Sequence, residues 1–280
     1  VIESLPRSLP DAHRRFLTSS VATLERDARV VGVAAGGSFL TDSMDEFSDL
    51  DLVIATEPLE HTRVMADRAG IAASLGVLLA AFTGEHVGEP RLLICLYDDT
   101  PPLHVDLKFV ALPDLASRVE DPAVLWERDG RLTEALSGSS ALYPIPCRQW
   151  IEDRFWVWVH YAASKLGRGE NFEVLDFLSF LRTTVLGPLV LVGAGVRPAG
   201  VRRLERLAPA HLSRLQATVA THDAGDCRRA LLACIELYRV LRSEGAPINR
   251  REAAEAAAMN YLLTSHQASG RKQDAPGPVR

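Results

Sequence analysis

The chain of 280 residues is 47% hydrophobic and 24% charged, which excludes a disordered or fibrous class and supplies enough apolar surface for a packed core. A formal net charge of −5 argues against a protein built to grip long nucleic acid, which carries a basic excess. The length suits two domains. Four cysteines (Cys95, Cys147, Cys227, Cys234) without close grouping exclude a disulfide framework or zinc site and point to reduced thiols in a cytoplasmic protein.

In chain order, residues 11–28 place Phe16, Val21 and Leu24 at helical spacing and predict an N-terminal helix. The continuous apolar run VVGVAA (30–35) stops at Gly36-Gly37, the pattern of a buried strand entering a tight turn. SDLDLVIA (48–55) alternates, with Asp49, Asp51 and Val53 on one face and Leu50, Leu52 and Ile54 on the other. Residues 58–73 read as a helix and LGVLLAAF (75–82) as a strand. RLLICLY (91–97) and LHVDLKFVAL (103–112) flank the turn cluster DDTPP and predict a hairpin. In its second arm His104, Asp106 and Lys108 share a face. AVLWERDGRL (123–132) reads as a further strand ending in an Asp-Gly turn.

From about residue 147 the texture is helical and rich in aromatics, and Tyr-Pro-Ile-Pro (143–146) breaks between the two halves. The expected class is α+β: an N-terminal α/β domain with a mixed sheet over 1–146, an all-helical domain over 147–265, and a disordered tail over 266–280. The run TTVLGPLVLVGAGV (183–196) reads as too short and too broken by Gly and Pro to cross a bilayer. No charged-then-apolar segment opens the sequence.

Asp49 and Asp51 pose the functional question. Carboxylates two residues apart on a strand project from the same face and repel, so a positive group belongs between them. The Gly-Gly-Ser turn before them can offer backbone N–H groups and a hydroxyl to phosphate oxygens. Asp106 adds a third carboxylate from another strand. Divalent Mg²⁺ takes a few carboxylates plus substrate phosphates and waters, so these are the parts that hold a metal–nucleoside triphosphate.

GGS, ten intervening residues, DLDLV, and later VDLKFV together resemble the nucleotidyltransferase superfamily, the DNA polymerase β-like fold. Within it the likeness is nearest to antibiotic adenylyltransferases of the streptomycin and aminoglycoside type, to which VLWERDG adds a further segment. The resemblance implies that Gly37 and Ser38 bind the triphosphate and that Asp49 and Asp51 hold Mg²⁺. It implies that Asp106 completes the metal site and helps deprotonate the attacking hydroxyl. A lysine from the helical domain would reach the phosphates, and Lys165 stands in the position for it. The implied reaction moves AMP from ATP to a hydroxyl of a small acceptor such as an aminoglycoside, an antibiotic-resistance chemistry. Two alternatives stay open: an RNA-directed transferase acting on tRNA ends, and a degenerate module that binds nucleotide or a partner without catalysis.

Plainer readings stand beside these. The aspartates could be solvated carboxylates on an exposed sheet face, and Lys165 or Lys108 solvated charges. Glu85, between two strands, is a reserve candidate for the general base. The cluster Trp150, Phe155, Trp156 and Trp158 reads as packing, and Arg202, Arg203 and Arg206 as a solvated helix face.

Overall fold

Strands with one apolar face need a partner layer on that face, and the first half of the chain supplies one on each side of a single sheet. A computed structural model of the chain describes residues 5–269. It divides between Tyr143 and Pro144 into two units. In the first, β1 (Val30–Ala35), β2 (Leu50–Thr56), β3 (Leu78–Gly84), β4 (Glu89–Tyr97), β5 (Leu103–Ala111) and β6 (Ala123–Glu127) form a six-stranded sheet of order β3-β4-β5-β2-β1-β6. Every neighbouring pair is antiparallel except β2 and β5, which run parallel. The sheet is therefore mixed, and with the helical second unit the class is α+β, as expected.

The period-two pattern of β2 and β5 decides how the layers pack. Leu50, Leu52 and Ile54 join Val105, Leu107 and Phe109 in the larger core, which is closed by α1 (Asp11–Leu24) through Phe16, Leu17 and Val21 and by α2 (His61–Ser74) through Val64 and Ile71. The opposite face carries a smaller core of Val31, Ala34, Ala55, Val110, Leu115 and Leu132. Leu115 comes from a 3-10 turn (Leu112–Ala116) and Leu132 from α3 (Arg131–Ser137). Asp51 and Asp106 belong to this second face by strand parity.

Several boundaries differ from expectation, three of them with consequences for the fold. Helix α1 ends at Leu24, and Asp49 lies just outside β2 rather than within it. The strand expected over 123–132 stops at Glu127, because Asp129 and Gly130 both adopt left-handed backbone and α3 begins at Arg131. Glu127 caps that helix, its carboxylate accepting the N–H of Thr133 at 2.8 Å.

In the second unit α4 (Arg148–Arg168), α9 (Ala224–Glu244) and α10 (Glu252–Ser269) pack with α5 (Asn171–Leu181), which continues through a π turn (Arg182–Leu186) into α6 (Gly187–Gly193). Short helices α7 (Leu204–Leu207) and α8 (Leu212–Gln216) precede α9. The run Asn171–Gly193 is, by length and composition, apolar enough to cross a membrane, which corrects the expectation of a short, broken segment. Gly187 and Pro188 do not break it; they open α6 directly after the π turn. Much of it is core: 56% of its most apolar stretch is buried. Residues 266–269, expected in the tail, belong to α10, and 270–280 lie outside the described residues.

The aromatic cluster splits in two. Phe155 and Trp156 are buried, and the Phe155 ring stacks on Tyr238 at 3.8 Å between centroids. Trp150 meets Trp158 edge-on at the surface. Beneath Trp156 lies Glu152, fully buried, which accepts hydrogen bonds from Tyr238 Oη (2.6 Å), Trp156 Nε1 (3.2 Å) and the Arg251 N–H (2.9 Å) and pairs with Arg242 (3.1 Å). Burial pushes its carboxyl pKa up, but those donors and the Arg242 charge outweigh burial and hold it below the ordinary value.

A carboxyl whose pKa is lowered on folding contributes stability above the unfolded value and loses it as pH falls through the folded one. Urea unfolding of the full chain, followed by tryptophan fluorescence, should therefore show the helical unit weakening at acidic pH. Glu152→Ala should cost about 3–5 kcal/mol near neutrality, because Tyr238 and Trp156 are left buried without their acceptor and Arg242 keeps only Glu255. That variant should also lose most of the acid sensitivity; an unchanged pH profile would show that other groups carry it.

Candidate active site

The register of the one parallel strand pair builds this site. Asp51 of β2 stands directly beside Asp106 of β5, and adjacent strands are roughly 4.8 Å apart. Both side chains are half-buried and line one cavity of about 210 Å³ on the second face of the sheet. Asp49, also half-buried, does not line that cavity. Its segment is fixed from behind, where buried His13 on α1 donates from Nε2 to the carbonyl of Ser48 at 2.7 Å.

The glycine turn is fitted to Asp51. Gly36 donates its N–H to the Asp51 carbonyl at 2.9 Å as β1 ends. Gly37 then takes a left-handed φ of +60° and opens a 3-10 turn (Gly37–Thr41) anchored by buried Phe39. A Cβ on Gly37 would overlap the Asp51 carboxylate, so only glycine permits this approach. Ser38 follows in the same turn, half-buried.

Around the carboxylates the charges are ordered. His104 Nε2 donates to Asp106 Oδ1 at 3.1 Å. Lys108, next along the same face of β5, places its Nζ 2.8 Å from Glu89, which Arg91 Nε also holds at 2.8 Å. The bonds from Arg91 and Lys108 outweigh burial and pull the Glu89 carboxyl down to about 2. The cavity is thus lined by the carboxylates of Asp51 and Asp106 and by the cations Lys108 and Arg91, with Val53 and Leu92 beside Lys108 in the sheet.

The loop after the 3-10 turn at 112–116 closes one side. Arg118 staples it, donating from Nη2 to the Leu136 carbonyl (2.9 Å) and from Nη1 to Ser139 Oγ (2.7 Å). From this loop Glu120 Oε1 reaches back to accept the N–H of Gly37 at 2.9 Å. Glu89, Arg91, Arg118 and Glu120 carry no sequence motif, and the last is 83 residues from its partner. No periodicity could have found them.

The structure brings Asp51, Asp106 and the Gly36–Gly37 turn together. Glu85, exposed on a 3-10 turn, is held below the ordinary carboxylate range by the Thr83 hydroxyl and lies outside the cavity lining. Lys165 belongs to the helical unit, where it pairs with Glu170 at 2.7 Å and Glu173 at 3.7 Å. Cys95, Cys227 and Cys234 are buried free thiols, and Cys147 is an exposed one. Among the described residues no three His, Cys, Asp or Glu side chains form a ready-made metal cage.

No family model and no curated protein matches the chain. Among solved structures it is similar to an aminoglycoside 6-adenyltransferase from Bacillus subtilis, at 13% identity and a TM-score of 0.33, over 92% of this chain and 97% of that one. It is also similar to a nucleotidyltransferase-like protein from Exiguobacterium sibiricum 255-15, at 14% identity and a TM-score of 0.34, over 96% and 81%.

The fit of Gly37 against Asp51 can be measured with a control in the same unit. Gly88 has φ +74° with nothing near its missing Cβ, so Gly88→Ala carries backbone strain alone, about 1–2 kcal/mol. Gly37→Ala should cost about 1–3 kcal/mol more in urea unfolding, the increment of forcing a methyl against Asp51. Equal losses would mean that the turn yields without disturbing the carboxylate.

Proposed function

We propose that this protein is a nucleotidyltransferase that moves AMP from ATP to a hydroxyl of a small-molecule acceptor, with pyrophosphate leaving. The observation that carries the reading is the pairing of Asp51 with Asp106 beside a glycine turn that leaves no room for a side chain. Two hard carboxylates held together suit Mg²⁺, which takes its remaining ligands from phosphates and water and so does not require a closed protein cage. Asp51 and Asp106 would hold it, with Asp49 entering from just before β2. The chemistry that Mg²⁺ supplies when bound is neutralisation of charge on the phosphate oxygens.

The protein's own groups divide the remaining work. The N–H groups of the Gly37–Ser38 turn would orient the triphosphate, an anion held by backbone donors. Asp106 would accept the proton of the acceptor hydroxyl at a carboxylate oxygen, while His104, donating to Oδ1, fixes the orientation of that carboxylate. Lys165 would add a charge to the phosphates from the helical unit. Positioning and charge complementarity supply most of the rate in such a transfer. The acidic net charge of the chain favours a cationic acceptor, and an aminoglycoside is the reading we adopt.

Pyrophosphate release with ATP and Mg²⁺, measured across a panel of aminoglycosides and tRNA, tests this directly. Release is expected with an aminoglycoside and not with tRNA; the reverse would overturn the acceptor assignment. Asp106→Asn should keep Mg-ATP binding yet lose turnover by about 10²–10⁴-fold, because an amide oxygen is not basic. Asp51→Asn should be inactive and Glu85→Gln close to normal. Were Glu85→Gln the dead enzyme and Asp106→Asn merely slowed, the base would be Glu85.

A further inference from the structure

The Gly37 N–H already has an anionic oxygen on it. Glu120 Oε1 accepts that hydrogen bond at 2.9 Å, and the same oxygen lies 2.6 Å from where a Cβ on Gly36 would stand. The absence of side chains at both glycines therefore makes a place for an oxygen acceptor as well as for Asp51. We propose that Glu120 is a built-in stand-in for phosphate, holding the glycine turn in the nucleotide-free protein and giving way when the triphosphate arrives. This rests on the nucleotidyltransferase reading, which assigns that turn to the phosphates.

The charge of Glu120 argues for a stand-in over a brace. A brace needs only a hydrogen-bond acceptor, which glutamine or serine offers without charge. A carboxylate on the same cavity wall as Asp51 adds like-charge repulsion, a cost that a neutral acceptor avoids. An anionic acceptor is, however, the closest side-chain likeness to a phosphate oxygen, and it meets the same donor with the same charge-assisted bond. The loop itself need not move for the exchange. Arg118 pins it two residues earlier, through the Leu136 carbonyl and Ser139, so the exchange falls to rotation about the Glu120 side-chain bonds.

Displacing Glu120 must then weaken nucleotide binding in the natural protein, and removing it must strengthen binding. Calorimetric titration of full-length protein with Mg-ATP, without acceptor, compares the natural chain with Glu120→Gln and Glu120→Ala. Glu120→Ala should bind about tenfold tighter, the scale of one charge-assisted hydrogen bond no longer competed for. Glu120→Gln, which keeps an acceptor but loses the charge, should fall between. In protein labelled with ¹⁵N-glycine, the Gly37 amide proton should move upfield in Glu120→Ala before any nucleotide is added.

A structural brace predicts the opposite sign, looser binding in Glu120→Ala. Equal or weaker Mg-ATP affinity in both variants, or an unmoved Gly37 resonance, would overturn the stand-in while leaving the nucleotidyltransferase reading in place. Failure of all three proteins to bind Mg-ATP would remove both together.

Discussion

Two carboxylates held side by side on adjacent parallel strands repel each other, and the rest of the sheet unit has to outweigh that repulsion. For full charges about 5 Å apart at an effective dielectric near 20, the Coulomb term is roughly 3 kcal/mol. The same two strands bury Leu50, Leu52, Val105 and Leu107 on their other face, at 1% exposure or less. Each such side chain contributes about 1.5–3 kcal/mol relative to exposure. Hydrophobic burial on one face therefore fixes a register that electrostatics alone would not choose. A one-residue slip would move the aspartates into the core and the leucines out, so the register is steeply specified.

The cations along the same face of the sheet are tied to a carboxylate of their own. Lys108 and Arg91 are close along the sheet, but Glu89 is held between them and carries the low pKa that such bracketing produces. His104, half of whose side chain is exposed, reaches Asp106 with one ring nitrogen. Asp51 and Asp106 themselves line the cavity, and the proposed metal site rests on that placement.

Legibility in the sequence followed periodicity. The alternation in SDLDLVIA and LHVDLKFVAL exposed both aspartates and their face, because one side of each strand is buried and the pattern survives without a partner. What it could not show was adjacency, since β2 and β5 are far apart in the chain and pair in parallel only through the intervening α2, β3 and β4. Asp49 looked equivalent to Asp51 by parity, yet the strand begins one residue after it and the cavity excludes it. Helix α3 was hidden in an apparent strand because its start depends on left-handed backbone at Asp129 and Gly130 and on a cap from Glu127. The apolar run 183–196 looks broken at Gly187 and Pro188, yet both open α6, which continues the helix that begins at Asn171. Glu120 was invisible for the opposite reason: a lone loop glutamate has no period at all.

The helical unit holds two kinds of ion pair, and their difference bears on Lys165. Glu152 and Arg242 are almost wholly buried, with side-chain exposures of 0% and 8%, and are bound further by Tyr238, Trp156 and Glu255. Neither can leave that network without stranding a charge in the core, so neither is available to a ligand. Lys165 pairs instead with Glu170 and Glu173, whose side chains are 39% and 47% exposed. Water screens such pairs and rehydrates whichever partner is released, so exchanging a glutamate for a phosphate oxygen loses little. The proposed role of Lys165 therefore asks for no disruption of the unit's core. In the helical unit it is the exchangeable pairing, rather than the strong one, that an incoming anion could open.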